Sequence, residues 1–316
     1  MSESPYTGLL IIGDPHLEAR QPGFRKDDYA TVILDKLAWS LSYAKTHRLL
    51  PAILGDLFDK PRDNPNWMLW RLLDLLNGEV LCLYGNHDCA DPVLGEHDSL
   101  SLLIKAGRLR LLAPNCRWEG QLNGRAVVVG GSSYRQPIPD RFEPSMLSAN
   151  KALVIWLTHH DLLIPGYDEG RIRPVSIDGI DLVINGHIHR RLEEQHVGST
   201  RWITPGNISR RSRNDATRSH IPSVLRIDVH STGYDLKYIE VPHQSFAEVF
   251  HDAIADVAEP AQESAFVRGL AELQARRTAS GAGLLEFLQH NVDRFPAGVG
   301  TEIMSLAQEV MHDGNT

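Results

Sequence analysis

Five short segments place carboxylates, a carboxamide and imidazoles beside residues suited to tight turns. They are Gly13-Asp14-Pro15-His16, Gly55-Asp56-Leu57-Phe58-Asp59, Gly85-Asn86-His87-Asp88, Thr158-His159-His160 and Gly186-His187-Ile188-His189. The donors are oxygens and imidazole nitrogens with no thiolate, a set that suits manganese, iron or zinc rather than soft copper. Each segment alone has a bland explanation. Asp56 after Gly55 could cap a helix, Asn86-His87-Asp88 could form a turn, and His187 with His189 could lie in a polar loop. Together they would need five unrelated explanations, so one shared site is the simpler reading. The set also suffices for two ions. Two ions roughly 3.5–4 Å apart need a bridging ligand and several more each, and a carboxylate bridges well because its oxygens can face different ions. Such a pair binds a phosphate and lowers the pKa of a bridging water, giving a hydroxide in line with the leaving oxygen.

The elements that must position these groups are legible as apolar runs. Residues 9–12, 52–54, 80–84, 153–157 and 182–184 each run up to one of the five segments, the last with Asn185 between, and read as buried strands. Strand ends that deliver ligands to one rim of a sheet are how an α/β fold assembles a site. Between the first strands, residues 28–46 carry Val32, Leu34, Leu37, Ala38 and Leu41 at helical spacing. Residues 64–76 do the same, with Asn64-Pro65 as an N-terminal cap and Asn77-Gly78 as a stop. The alternation predicts a βαβ series and a largely parallel sheet. After Gly107, short strands at 108–112, 125–129, 152–157, 181–184, 201–203, 223–229 and 234–241 read as a second, more antiparallel sheet. From His243 the pattern becomes helical, over 246–257, 263–277, 282–292 and 301–311, so a domain boundary is expected near Pro242. Residues 60–66 and 210–220 read as polar surface loops.

Composition narrows the class. With 316 residues, the chain fits one large catalytic domain plus an appendage. A formal net charge of -8 means that any nucleic-acid contact must come from local patches and bound cations. Three cysteines without a CxxC pair argue against a disulfide framework and against a thiolate zinc site, and a cytoplasmic setting is expected. The N-terminus lacks a basic, then apolar, signal pattern. No run approaches the ~18 apolar residues that a membrane span needs, so no membrane association is expected.

The series D-x-H, G-D-x-x-D, G-N-H-D, H-H and G-H-x-H resembles the calcineurin-like metallophosphoesterase superfamily over roughly residues 8–240. The resemblance implies a four-layer α/β/β/α sandwich of two mixed sheets, here residues 1–242, followed by a helical appendage at 243–316. It implies that Asp14, His16, Asp56 and His189 hold one divalent ion. Asp56, Asn86, His159 and His187 would hold the other, with Asp56 as the bridge and manganese as the expected metal (iron or zinc being alternatives). His159 and His160 are adjacent and only one should ligate; register favours His159. His87 would face the scissile phosphate and Asp88 would orient it. Asp59 lies where nuclease relatives carry a His or Asp near the substrate, though it could equally cap the loop.

Gly55-Asp56-Leu57-Phe58-Asp59, Gly130-Gly131-Ser132-Ser133-Tyr134-Arg135 and Thr204-Pro205-Gly206-Asn207-Ile208-Ser209-Arg210 are similar to segments of the SbcD-type DNA-repair nuclease branch. That branch implies DNA as substrate, a possible homodimer, and an SbcC-like coiled-coil ATPase partner bound through the C-terminal helices. Arg210, Arg211 and Arg213 follow the last segment and would contact the phosphate backbone, unless they belong to a solvated loop. The competing expectations are a small-molecule phosphatase or cyclic-nucleotide phosphodiesterase on the same site, and a scaffold with a vestigial site.

Overall fold

The computed structural model describes residues 5–143, 152–213 and 215–251. Contacts separate Met1–His251 from Asp252–Thr316, and all described residues belong to the first unit. The helices expected over 263–277, 282–292 and 301–311, and most of the one over 246–257, lie outside the described residues.

Strand β1 (Gly8–Ile12) runs parallel to β2 (Leu49–Ile53), which pairs in parallel with β3 (Leu81–Cys82), and β3 with β4 (Arg110–Leu111). On the other side of β1 lie β11 (Ser223–Val229) and β12 (Tyr234–Glu240), both antiparallel to their neighbours. This six-stranded sheet faces a second one of order β5-β6-β7-β8-β10-β9. Its strands are β5 (Trp118–Leu122), β6 (Arg125–Ser132), β7 (Leu153–Thr158), β8 (Leu182–Asn185), β9 (Gln195–Val197) and β10 (Thr200–Ile203).

The expectation of a more antiparallel second sheet needs correction. Pairs β6–β7, β7–β8 and β8–β10 are parallel, and only the edges are antiparallel. The reason is burial on both faces: β7 and β8 are buried at every position, the pattern of parallel strands covered on each side. The strands at 108–112, 223–229 and 234–241 belong to the first sheet, not the second.

The period-2 alternation of side chains divides the core cleanly. Leu9 and Ile11 of β1 meet Val127, Val129, Ile155 and Leu157 between the two sheets, whereas Leu10 and Ile12 face the helices. That helical layer contains α1 (Tyr29–Thr46), α2 (Asn66–Leu75) and α3 (Ser99–Lys105). Asp28 caps α1 by accepting from the Thr31 N–H, and Ile33, Leu34 and Leu37 lie on its buried face. Asn64 does not cap α2; the helix begins one residue after Pro65, and the Asn64 amide donates to Lys60 O and Ser99 Oγ instead. Val128, Val154, Trp156 and Val183 face the outer side of the second sheet. Phe142, Leu162, Ile164 and Ile177 from irregular segments cover them there.

The α/β sandwich of two mixed sheets is therefore the observed fold. The short helices α4 (Asp215–Ser219) and α5 (Phe246–Val249) complete the described chain. Residues 243–251, assigned from sequence to the appendage, lie in the first unit: the Lys26 N–H donates to Val249 O, and Lys26 Nζ to Ala247 O. No helix among the described residues is long and apolar enough to cross a membrane.

Candidate metal centre

The five segments converge at one end of the paired sheets. Asp14 and His16 follow β1, Asp56 follows β2, Asn86 and His87 follow β3, His159 follows β7, and His187 and His189 follow β8. Local hydrogen bonds stitch the turns together. The His16 N–H donates to Asp56 O, the His87 N–H to Asp56 Oδ1 at 2.8 Å, and the Ile208 N–H to Gly13 O. The packing leaves no room at Gly85, where an added Cβ would lie 2.0 Å from Asp56 Oδ1 and 2.6 Å from His159 Cε1. Asp14, His16, Asp56 and His187 all adopt positive φ, between 26° and 69°, a region that non-glycine residues rarely enter. The turns aim these side chains inward at a cost of roughly 1–3 kcal/mol per residue.

In one half of the site, His159 Nδ1 donates to Leu54 O at 2.7 Å, and a carbonyl can only accept. His187 Nε2 lies 3.0 Å from Asp161 Oδ1 and donates to it. Each ring therefore turns its other nitrogen inward, a lone pair once His159 gives up its proton: His159 Nε2 is 3.3 Å and His187 Nδ1 3.0 Å from Asn86 Oδ1, itself an acceptor. Asp56 Oδ2 is 3.2 Å from the same His159 Nε2. Four lone-pair donors facing one point need a cation between them.

The other half has the same logic. His16 Nε2 faces His189 Nε2 at 2.8 Å and Asp56 Oδ2 at 3.5 Å, and Asp14 lies fully buried alongside. Both Asp14 oxygens and Asp56 Oδ2 are buried without a hydrogen-bond partner. Stripped carboxylate oxygens cost several kcal/mol each in a protein interior, so the residues fit a pair of cations. Asp56 is common to two tight donor groups, with His16 and His87 in one and His159 and His187 in the other, as a bridging ligand requires.

Electrostatics agree. Burial, with Asp56 close by, pushes Asp14 up to about 6 against the pull of His159 and His16. Burial also acts to raise Asp56, but His159, His16 and His87 outweigh it and hold the carboxyl well below its usual range. Burial lowers His159, while Asp56 and Asp14 raise it further, to about 9. Burial and the neighbouring His16 push His189 down to about 3. A divalent ion would displace the proton that His159 otherwise keeps.

The remaining expected residues divide. His160 Nε2 reaches Gln136 O at 2.8 Å and points away from the donors, while Asn185 clamps the His160 backbone through its N–H and O. His159 alone of the pair faces the centre. Asp88 does not orient His87. Its oxygens accept from the backbone N–H groups of Leu57, Phe58 and Gly85, tying two motif turns together. The group that orients His87 is Asp59, whose backbone O accepts from His87 Nδ1 at 2.9 Å.

Asp59 backs His16 and also lines the cavity in front of the donors. Its Oδ1 is 3.4 Å from His16 Nδ1, and its Oδ2 accepts from Arg211 Nη2 at 2.8 Å. Arg211 also reaches Glu18. Arg210 is buried and spends its guanidinium on His220 O and Gln244 O, and Arg213 donates to His251 O over the Phe24 ring. Only Arg211 of the three lines the cavity of about 760 Å³ in front of the donors. Asp168 and Glu169 stand on its wall with Tyr167 and Arg190.

Sequence reasoning missed Asp161, Asn185 and Glu18. For Asp161 a signal was available, a carboxylate two residues after the favoured histidine. Asn185 and Glu18 have no local pattern.

A search of curated proteins returned no match. The model of one family, calcineurin-like phosphoesterase, matches residues 8–191. The chain belongs to this family, whose members are metal-dependent phosphoester hydrolases. Among solved structures, GAP50 of Plasmodium, titled the anchor in the inner membrane complex, is 15% identical, with 73% of this chain and 84% of that chain covered and a TM-score of 0.43. Vps29 of Chaetomium thermophilum is 12% identical, with 76% and 97% covered and a TM-score of 0.31. Likeness at this level carries no argument about activity.

Proposed function

We propose that the chain is a dinuclear phosphodiester hydrolase. The observation that supports this most is the set of unpartnered buried carboxylate oxygens of Asp14 and Asp56, which face inward-turned imidazoles. Asp14, His16, Asp56 and His189 would hold one ion, and Asp56, Asn86, His159 and His187 the other, manganese being the expected metal. Bound ions would neutralise the phosphoryl oxygens and supply an activated water.

The chain's own side chains would do the rest. His87, 39% exposed on its side chain on the cavity lining and held through Nδ1 by Asp59 O, keeps Nε2 for the reacting phosphate, where it would stabilise charge or protonate the leaving oxygen. Asp59 holds both His16 and His87, so the metal side and the leaving-group side share one support.

For the substrate, two readings stand. The first is a DNA nuclease of SbcD type. It rests on the motif resemblance and on how the resembling segments are used. Ser133 Oγ accepts from the Tyr84 N–H and the Tyr134 N–H donates to Tyr84 O, bracing the turn that carries Asn86 and His87. Ser209 Oγ donates to Asp14 O, bracing the first motif. The second reading is a small-molecule phosphatase or cyclic-nucleotide phosphodiesterase. It is favoured by the cavity wall, where Asp168 and Glu169 would repel a polyanion and Arg210 is turned inward.

Activity with manganese, iron or zinc on DNA, RNA, cyclic nucleotides and an aryl phosphodiester separates them. Cleavage of DNA that outpaces the aryl ester supports the nuclease, and cleavage confined to small esters supports the second reading. No hydrolysis of any of them by protein carrying two ions would overturn the hydrolase reading itself. A partner ATPase, a homodimer and a cytoplasmic setting belong to the nuclease reading and share its fate.

A further inference from the structure

Behind the metal centre, on the far side of the segment that follows β10, three buried cations cluster. Arg25, Lys36 and Arg210 are each no more than 6% exposed. They line a cavity of about 490 Å³ together with Trp39 and His243. Each cation is hydrogen-bonded, but mostly to neutral carbonyls. Lys36 Nζ donates to Ile208 O at 2.9 Å, Arg210 to His220 O and Gln244 O, and Arg25 to Arg210 O. The carboxylate bonded to the cluster is Asp27, and Arg25 takes both of its oxygens. Asp35, also on the cavity lining, is exposed. Three buried positive charges thus share one bonded negative charge beside an open space.

Carbonyl dipoles satisfy donors but do not neutralise charge, and an excess of like buried charge is costly. Burial, with Arg25 and Arg210 nearby, accordingly lowers Lys36 to about 7. An ammonium with one partner keeps two further N–H donors for a ligand. The volume is in the range of small-molecule sites.

We propose that this rear cavity binds a small phosphate-type oxyanion, with Lys36 as its direct partner and Arg25 and Arg210 supplying the field. The site is separate from the metal centre but joined to it by one segment. Arg210 and Arg211 are neighbours that point to opposite sides, one into the cation cluster and the other onto Asp59. An occupant of the rear cavity would brace the strip of chain that carries Arg211.

The test titrates the full chain with inorganic phosphate by calorimetry, with a chelator present so that no ions bridge phosphate in front. Saturable binding is expected, weakened at least roughly tenfold in Lys36→Met, as for loss of a buried charge partner. In the parent, hydrogen exchange should slow at Lys36, Trp39, His243 and Gln244, which line the rear cavity and not the front one, and this readout stands even where the variant does not fold. Absence of binding, equal affinity in Lys36→Met, or protection confined to residues 85–88 and 187–190 would each overturn the proposal.

Discussion

The two halves of the metal centre share Asp56 but are braced by different chemistry. On one side, His16 is backed by Asp59, a nearly buried carboxylate that is itself paired with Arg211. On the other, His159 is backed by the neutral Leu54 carbonyl, and His187 by Asp161, whose side chain is 37% exposed. A carboxylate behind an imidazole makes the imidazole a better donor than a carbonyl does, and burial strengthens that effect. The difference teaches that the halves need not bind equally. With two ions bound as proposed, the half containing His16 and His189 would hold the tighter one, and the half open to Asp161 the one that exchanges.

The largest expected effect comes from removing what the halves share. Asp56→Ala should lose both ions by elemental analysis and reduce hydrolysis to background; retention of one ion would break the bridging assignment. His87→Ala comes next. It should lower turnover roughly 10²–10⁴-fold while both ions stay bound, the range for a general acid. Loss of metal with normal turnover per bound ion would reassign His87 as a ligand. The comparison itself is tested by Asp59→Asn against Asp161→Asn. Each should weaken one ion by roughly 10–100-fold, the usual cost of removing an outer-shell partner. Manganese calorimetry should show Asp59→Asn affecting the tighter step and Asp161→Asn the weaker; the reverse order would invert the assignment. Arg211→Ala should reproduce a few-fold part of the Asp59→Asn loss, whereas Arg213→Ala should leave metal affinity unchanged. The smallest effect belongs to His160→Phe. It should keep metal content and turnover but lower stability by about 1 kcal/mol in denaturant, since it removes the bond to Gln136 O.

The candidate ligands were legible because each sits two to five residues past an apolar run, and strand ends are where an α/β fold puts chemistry. The braces were not. Asp88 and Asp59 carry the same side chain in neighbouring motifs, yet one ties backbone N–H groups and the other backs a ligand, a distinction made by packing across 30 residues of chain. Arg210 and Arg211 are equally opaque: identical neighbours, one structural and one at the site. The direction of strand pairing in the second sheet also escaped the sequence reading, because short apolar strands look alike whether they are joined by hairpins or by crossovers.

The positive φ angles at Asp14, His16, Asp56 and His187 have a consequence for how this chain can change over generations. Each position would relax as glycine or asparagine, so thermodynamic selection and functional selection pull in opposite directions at the same four codons. A library selected only for heat resistance should accept changes there and lose its ions, while one selected for turnover should hold these residues and relax the positive-φ positions outside the site, such as Phe24 and Arg48. The candidate metal centre is therefore exposed to decay once its activity is no longer needed.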